Sequence, residues 1–591
     1  MTTVTAPATS SDSRHIDWFE HSSRVISAIL ILLVSVPLLM MVWRLFVVDG
    51  RLDLSGFTKL AGQPWLGTML VDTLITVAAS VFIALLVGSM FAWFTERTNA
   101  QIGWLSRILP VLPLFVPPLA SAIGWVLLGT PGPGVLNVIL KPFTGGGDGP
   151  VNIFTWPGMI FLFTISLIPH VYLVVTAALR NLEPSLEEAS RISGVGPVAT
   201  LFKVTLPAIR PSLISGALLA MAAGFSLFSV PFLVGAQAGI DNLIVRVVRM
   251  TTHGFPPELD QASVLGLVVV FFIGGSWLLQ RQAGKQARHA RMEGKTSSPT
   301  LVDLGWFKWV ARGLTVAFIL LSAVLPLIAL VYVSLQSFWS GQLTMANFTL
   351  RNYAELLDPR GTTFEALRNS VVLGVVTALV AVVVATVIAY FGERRPKSFI
   401  ARAADGVVKL PAALSHVVIA LALIIAFSGP PFALQGTLVL LFLGYLIMYL
   451  PQASVNANSA LSQLGPALTE ASLVSGATEM RTFFRIVFPL MGPGLVAGWV
   501  MVFVMAAGDL TASAMLSSPR SPVVGFVMLD LATSGTYGSV AALGAVITLV
   551  TSVVGGLVLL FGQRLGKGRG ARIKSARLAR RAATTDAGVT Q

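Results

Sequence analysis

Residues 182–213 read LEPSLEEASRISGVGPVATLFKVTLPAIRPSL, and residues 464–495 read LGPALTEASLVSGATEMRTFFRIVFPLMGPGL. Each stretch predicts a short polar helix, a glycine six residues after a glutamate, and a second amphipathic helix that ends in a proline. The glycines, Gly194 and Gly476, suit a helix C-terminus at which φ becomes positive. We therefore expect two rigid helix–glycine–helix elbows that protrude from the chain as docking elements.

These two elbows belong to a longer internal repeat. Adding 282 to a residue number aligns the elbows without a gap, so that Gly194 corresponds to Gly476. Further upstream, residues 70–98 resemble residues 367–395 at a shift of 297. The chain is therefore predicted to use one structural unit twice in the same orientation, with a pathway on the pseudo-twofold axis between the units.

The composition around the elbows is too apolar for a soluble protein. Of the 591 residues, 11% are charged and 55% are hydrophobic, with a mean hydropathy of +0.81, whereas a soluble domain carries about 25% charged residues. Segments of about 20 mostly apolar residues can cross a bilayer. Twelve such segments lie at 24–48, 67–93, 107–129, 157–179, 212–236, 262–280, 311–336, 369–391, 407–428, 435–456, 491–515 and 540–562.

The predicted fold is an all-α membrane protein of twelve transmembrane helices in two tandem six-helix units. A basic stretch separates the units and a second one follows them. We expect a tail at 1–23, a first unit at 24–280 with its core at about 65–280, a linker at 281–311, a second unit at 312–563 with its core at about 365–563, and a tail at 564–591.

The charged residues predict an orientation in the membrane. Lys and Arg number 40 against 26 Asp and Glu, and they are roughly threefold more frequent in the two tails and the alternate loops that carry the elbows. Both termini are therefore predicted to be cytoplasmic. The basic stretches Arg281–Arg312 and Arg564–Arg581 are expected to contact anionic lipid, not nucleic acid. The absence of cysteine excludes disulfides, thiolate metal sites and cysteine nucleophiles.

The elbows resemble the signature of a known family, the permease subunits of binding-protein-dependent ABC importers. That signature is a Glu-Ala-Ala loop followed by a glycine and a terminal Leu-Pro. Serine replaces the second alanine in both copies here, and phenylalanine replaces the leucine in the second copy. The matching residues are Glu188, Ala189, Ser190, Gly194, Leu206 and Pro207 in the first elbow, and Glu470, Ala471, Ser472, Gly476, Phe488 and Pro489 in the second.

The resemblance implies two tandem type I ABC importer permease units in the bacterial cytoplasmic (inner) membrane. Each elbow would insert into a cleft on one of two copies of a cytoplasmic ABC ATPase and transmit its closure to the spans. The solute would come from a periplasmic or lipid-anchored binding protein. We expect no catalytic residues and no cofactor in this chain. No ATP site is expected either, because Gly294-Lys295-Thr296 lacks the glycine that a P-loop requires five residues earlier.

A structural role for the first-elbow glutamate is an alternative. Ser185 and Glu188 have the spacing of a capping box. At the second elbow Ala467 stands at the cap position, yet Glu470 remains. Capping alone therefore does not account for both glutamates.

The fused arrangement resembles the ferric-iron branch of this family, whose relatives handle thiamine, polyamines and phosphonates. Residues 506–519 and 533–550 match the branch's acidic-Leu-x-Ala-Thr region and its Gly-x-Tyr-Gly segment. Leu227 stands where the branch usually carries an acidic residue, which leaves Asp509 without its counterpart. Ferric iron is the leading substrate hypothesis, and thiamine, a polyamine or 2-aminoethylphosphonate are alternatives.

Three ionisable residues in the predicted spans are candidates for the translocation pathway, since such residues usually face a bundle interior or a water-filled cavity. Asp509 is predicted near the external end of its span, where it could attract a cation or cap a helix break at Gly508. His170 and His416 could line the pathway or make structural hydrogen bonds. No cluster of Tyr, His and Glu stands out along the sequence, so no metal site is expected.

Two other classes of protein are less well supported. A twelve-span secondary transporter would need charged residues for ion coupling, which the spans largely lack, and it has no role for paired elbows. A membrane enzyme would need paired carboxylates, a histidine cluster or a nucleophile, and none is evident. The sequence thus favours the permease of an ATP-driven importer.

Overall fold

A computed structural model describes residues 18–558 except 49, 104–105, 107–109, 112, 114–115, 145–146, 253–256, 290–300 and 340–346. The predicted basic tail and most of the predicted N-terminal tail therefore lie outside the described residues. Within the described part, the regular secondary structure is helical apart from isolated bridges and one antiparallel hairpin. The hairpin pairs β1 (Val47–Val48) with β2 (Arg51–Leu52).

The helices divide between the two halves of the repeat. Those of the first unit are α1 (Trp18–Arg44), α2 (Ser55–Ala61), α3 (Leu66–Arg97), α4 (Pro118–Gly129), α5 (Val135–Thr144), α6 (Trp156–Asn181), α7 (Pro184–Ile192), α8 (Pro197–Ala208), α9 (Arg210–Ser226), α10 (Pro231–Ala238), α11 (Leu243–Thr252) and α12 (Leu259–His289). Those of the second unit are α13 (Phe307–Ser334), α14 (Arg351–Leu356), α15 (Thr362–Arg394), α16 (Phe399–Ala413), α17 (His416–Phe427), α18 (Leu438–Ser462), α19 (Pro466–Val474), α20 (Glu479–Ala507), α21 (Thr511–Leu516), α22 (Val524–Thr533) and α23 (Tyr537–Val558).

Prolines interrupt several of the predicted spans. Among the described residues, nine helices are long and apolar enough to cross a membrane, or up to twelve if each of three bent pairs is one span. Among the described residues of the segment predicted at 107–129, the regular α-helix is α4, which has 12 residues. Pro110, Pro113 and Pro117 precede it, and proline removes an amide donor and clashes with the preceding turn.

The segments predicted at 212–236 and 407–428 are also broken. Helix α9 ends at Ser226, and α10 begins at Pro231 and meets α11 at a bend of 99°. Helices α16 and α17 meet at a bend of 115°, after a 3₁₀ turn that contains Pro411. These breaks leave short helices whose terminal backbone groups are not paired within the helix. Such irregular backbone is tolerated at membrane depth where it is buried in protein.

Each unit packs around its own core of long helices. In the first unit α3, α6 and α9 contact one another and α12 packs on α9, and in the second unit α15, α18 and α20 contact one another. Outward-facing aromatic residues such as Phe82 and Phe271 are exposed, as expected for side chains that meet lipid. Because lipid is as apolar as leucine, close packing between these helices stabilises the bundle more than burial itself does.

The two units exchange their first helices. Helix α1 packs against α16 and α17 of the second unit, and the C-terminal part of α13 packs against α4 of the first. A β-carbon added at Gly124 of α4 would lie 2.6 Å from the β-carbon of Pro326, so the α4–α13 contact requires glycine at that position. The halves are therefore interlocked and not merely adjacent.

Candidate functional site: two elbows and a buried polar cluster

Both elbows have the helix–glycine–helix geometry expected of them. Gly194 and Gly476 each have a φ of 82°. In the first elbow the amide of Gly194 donates to the carbonyl of Arg191 at 3.0 Å, and the next amide donates to Ser190 at 3.1 Å. The equivalent bonds of the second elbow measure 2.9 and 3.2 Å. This pattern pairs the last carbonyls of each helix and sets a sharp turn.

A side-chain hydrogen bond joins the two arms of each elbow. Ser190 Oγ lies 3.0 Å from Thr200 Oγ1, and Ser472 Oγ lies 2.8 Å from Thr482 Oγ1. The serine that replaces alanine in both copies of the signature thus has a partner on the opposite arm. Sequence reasoning missed the two threonines, although they lie ten residues after the serines in both repeats.

The second arm of each elbow contains a wide helical turn just before its proline. The π-helical segments run over Leu201–Thr205 and Phe483–Val487, and the amide that follows each one donates five residues back. Pro207 and Pro489 come directly after these amides and donate no backbone hydrogen bond. In the first elbow the chain then bends by 74° into α9, whereas in the second it continues within the single helix α20.

Matched apolar side chains project from the two elbows. Ile192 and Val474, equivalent under the repeat, are each 88% exposed, and Phe202 and Phe484 are 64% and 60% exposed. Ala189 and Ala471 are also exposed, Glu470 is exposed and Glu188 is half-buried. Exposed apolar groups that recur at equivalent positions are typical of a binding surface.

The capping box considered for Glu188 does not form. Helix α7 is preceded by Glu183, begins at Pro184, and receives no side-chain hydrogen bond at its N-cap. Ser185 lies within the helix and is exposed.

The neighbouring glutamate, Glu187, is buried in an ion pair that sequence reasoning did not identify. Its Oε2 lies 2.8 Å from Nε of Arg97, the last residue of α3, and the two side chains are 5% and 2% exposed. Thr205 Oγ1 donates to Glu187 Oε1 at 2.6 Å, and Arg97 donates to the carbonyls of Leu179 and Leu182. Both arms of the first elbow are thereby attached to the end of α3. The sequence feature that could have indicated this ion pair is an arginine that ends a long apolar segment.

The second elbow lacks this arrangement. Thr469 and Val487 stand at the positions of Glu187 and Thr205. Instead Glu479 accepts from Arg395 at 3.0 Å and from Arg394 at 3.4 Å. Partial burial opposes the charge on Arg395, but its ion pairs outweigh that effect and raise its pKa.

A polar cluster lies inside the second unit. Tyr449 of α18 donates to Asp509 Oδ2 at 2.7 Å, and His416 Nδ1 lies 3.9 Å from the same oxygen. Asp509 Oδ1 accepts from the amides of Ala512 and Ser513 at 2.7 and 3.3 Å. These members come from α17, from α18 and from the break between α20 and α21, so no local pattern in the sequence joins them.

The cluster has no counterpart in the first unit and lies beside the contact between the units. Leucines stand at the first-unit positions of Asp509 and Tyr449. A β-carbon at Gly508 would lie 2.8 Å from the β-carbon of Pro117 in the first unit. The break between α20 and α21 therefore abuts the other half of the molecule.

The third candidate, His170, lies on a different helix, α6. Its Nδ1 is buried and has no hydrogen-bond partner in the described part of the chain, and the same holds for Oε1 of the equivalent Gln452. Among the described residues, no group of three His, Cys, Asp or Glu side chains is placed to hold a metal ion.

Comparison with known proteins gives a family and several relatives. The model of the "binding-protein-dependent transport system inner membrane component" family matches residues 84–276 and again 381–567. The ferric transport system permease protein FbpB of Actinobacillus pleuropneumoniae is 23% identical over 84% of this chain and 71% of its own length. The Fe(3+)-transport system permease protein FbpB 2 of Haemophilus influenzae is 22% identical over 89% and 96%.

A shorter relative aligns with part of the chain only. The putative 2-aminoethylphosphonate transport system permease protein PhnV of Salmonella paratyphi A is 24% identical over 41% of this chain and 90% of its own length. A relative of that length corresponds to one unit of the repeat. With both halves matched, this chain belongs to the family of binding-protein-dependent transport system inner membrane components, the permease subunits of ABC importers.

Proposed function

We propose that the two elbows are the docking sites for two copies of a cytoplasmic ABC ATPase. The observation that carries this proposal is the matched pair of exposed surfaces, with Ile192 and Phe202 on one elbow and Val474 and Phe484 on the other. Two equivalent surfaces fit a partner that itself has two equivalent subunits. Glu188 and Glu470 border these surfaces and supply charge for an ionic contact with the ATPase.

Each elbow is expected to move as a rigid body. The glycine turn and the Ser–Thr hydrogen bond hold the two arms together, and the Arg97–Glu187 pair attaches the first elbow to α3. Closure of the ATP-bound dimer would draw the elbows together and rock the two units, which opens the axis to the loaded binding protein. ATP hydrolysis would then return the cavity to the inward-facing state.

Charge substitutions on the exposed surfaces test the docking proposal. We expect Ile192→Asp combined with Val474→Asp to weaken ATPase binding about tenfold or more, because interface anchors contribute most of the binding energy. Co-purification of the ATPase and its stimulation by the loaded binding protein are the measurements. Leu350→Asp, at a comparably exposed leucine outside the elbows, is the control. Normal ATPase binding by the double variant would refute the proposal.

Ferric iron is the substrate that we propose for this importer. The support is the similarity, over most of the chain, to two relatives named as ferric-iron permeases. Thiamine, a polyamine and a phosphonate remain alternatives, and one relative named for 2-aminoethylphosphonate also aligns. Uptake of labelled ferric iron by cells that express the whole system, with and without excess of each alternative, discriminates among them. Uptake that depends on an ion gradient and not on the ATPase would favour a secondary transporter instead.

The polar cluster is our candidate for a wall of the translocation pathway. His416 retains 29% exposure of its side chain, whereas Asp509 and Tyr449 are buried behind it. Its position beside the contact with Pro117 is consistent with a route between the units. We propose that His416 faces the passing solute and that Asp509 positions it, and that His170 lines the route from the first unit.

A further inference from the structure

The second elbow contacts a part of the chain that belongs to the opposite unit. At the start of α1, Phe19 is buried, and its ring lies 5.2 Å from the ring of Phe483 in the second elbow. The same ring lies 5.2 Å from that of Tyr390 near the end of α15. The three rings pack against one another, since Tyr390 and Phe483 are 5.3 Å apart. The first helix of the chain thus contacts both the second elbow and α15.

An ion-pair chain runs beside these rings. Oε2 of Glu20 lies 3.0 Å from a guanidinium nitrogen of Arg395, which also pairs with Glu479 at 3.0 Å. Glu479 is the first residue of the second arm of the elbow. Glu20 is therefore connected to the elbow through one arginine. We call Phe19, Glu20, Arg395 and Glu479 the N-terminal clamp.

The first elbow is held differently. The amide of Val302, near the end of the linker, donates to the carbonyl of Arg97 at 2.8 Å. Arg312 of α13 donates to the three carbonyls of residues 99–101, which follow α3. These contacts reach the backbone of α3 and the loop after it. The elbow itself is attached by the buried Arg97–Glu187 pair within its own unit.

The difference follows from two substitutions between the repeats. Thr469 and Val487 cannot form the acidic anchor that Glu187 and Thr205 provide in the first elbow. The second elbow instead pairs with Arg394 and Arg395 at the end of α15, and it packs against Phe19 of α1, which belongs to the first unit.

We propose that Phe19 and Glu20 are positioning residues for the second elbow, so that the start of the first unit sets the orientation in which that elbow meets its partner. The consequence of this inference for transport rests on the proposed docking role of the elbows. Its structural part can be measured on the permease alone. Loss of the clamp is expected to loosen the second elbow selectively, because the first is anchored within its own unit.

Spin labels on the two elbows test the selectivity. The chain contains no cysteine, so Val474→Cys and, separately, Ile192→Cys provide one label each at equally exposed positions. In the purified permease we expect Glu20→Gln to raise the rotational mobility of the label at 474 at least twofold and to leave the label at 192 unchanged. Glu20→Asp is expected to keep the mobility of the label at 474 close to that of the unsubstituted protein, since aspartate retains the negative charge.

Two further variants keep the result interpretable. Phe19→Leu removes the ring contacts and retains an apolar side chain, and it should have the same selective effect if Glu20→Gln does not fold. Glu355→Gln removes an exposed ion pair with Arg351 elsewhere and serves as the control. Unchanged mobility of the label at 474, or an equal rise in the mobility of both labels, would overturn the proposal.

The effect on transport is measured separately in liposomes that contain the ATPase and the loaded binding protein. We expect Glu20→Gln to lower the amount of solute moved per ATP hydrolysed at least threefold, with ATPase binding retained. A wild-type permease that fails to bind any ATPase would refute the docking role but not the clamp. Unchanged coupling together with a mobile second elbow would refute the positioning role in transport.

Discussion

At the scale of single residues, two adjacent glutamates of α7 have different environments. Successive residues of an α-helix point about 100° apart, so neighbours face different surroundings. Glu187 faces α3 and pairs with Arg97, whereas Glu188 lies half-buried beside the exposed Ala189. We infer that the first holds the elbow in place and that the second serves the partner surface.

Glutamine substitutions should separate these two roles. Glu187→Gln leaves the buried Arg97 charge uncompensated, so we expect it to destabilise the protein by about 3 kcal/mol. Glu188→Gln should weaken ATPase binding and cost less stability than Glu187→Gln, because Glu188 is only half-buried. Thermal unfolding in detergent and co-purification of the ATPase are the two measurements. Equal loss of stability in both variants would contradict the division of roles.

At the scale of elements, the break between α20 and α21 explains the environment of Asp509. The helix ends at Ala507, and the carboxylate accepts from the first free amides of α21 and from Tyr449. Of the two roles considered for Asp509, the contacts support helix capping directly. Its carboxylate oxygens are engaged within the protein, and His416 is the more accessible member of the cluster.

Substitutions at Asp509 should distinguish a helix-capping role from a requirement for its negative charge in transport. Asparagine can accept the same amide hydrogen bonds, so we expect Asp509→Asn to retain stability and most of the transport. Asp509→Ala removes the cap and should cost about 1 kcal/mol. Thermal unfolding and solute uptake are measured for both variants. A stable Asp509→Asn protein without transport would show that the negative charge itself is required.

At the scale of the whole molecule, the exchange of first helices makes the two units move together. Helix α1 lies on the second unit, and part of α13 lies on the first. A force on either elbow therefore reaches both halves. The pseudo-symmetry is incomplete, because, among the residues that the structure describes, the buried acidic anchor lies in the first unit alone and the polar cluster in the second alone.

The orientation of this assembly can be tested with single cysteines. The excess of Lys and Arg in the elbow loops and tails predicts that this end is cytoplasmic. Gly196→Cys on the first elbow and Arg520→Cys near the opposite end are both exposed positions. We expect an impermeant thiol reagent to label position 520 in spheroplasts, and to label position 196 only after the membrane is opened. The reverse pattern would contradict the predicted orientation.

Much of this architecture could be predicted because it depends on local pattern. Apolar segments of spanning length, an ungapped repeat and two glycine-centred elbows are properties of consecutive residues. Helix breaks were harder to predict, since mean hydropathy does not register the effect of Pro117 or Pro231 on a span. The role of Glu187 was missed because its partner, Arg97, is distant in sequence.

The sequence by itself determined that this protein is a helical membrane protein made of one unit used twice, and it identified the two elbows, because composition and short-range periodicity carry that information. Only the tertiary structure decided which side chains meet. It joined His416, Tyr449 and Asp509 from two helices and a helix break, and it brought Glu20 of the first unit to Glu479 of the second through Arg395. Such contacts depend on how helices pack and exchange between units, which no local pattern specifies.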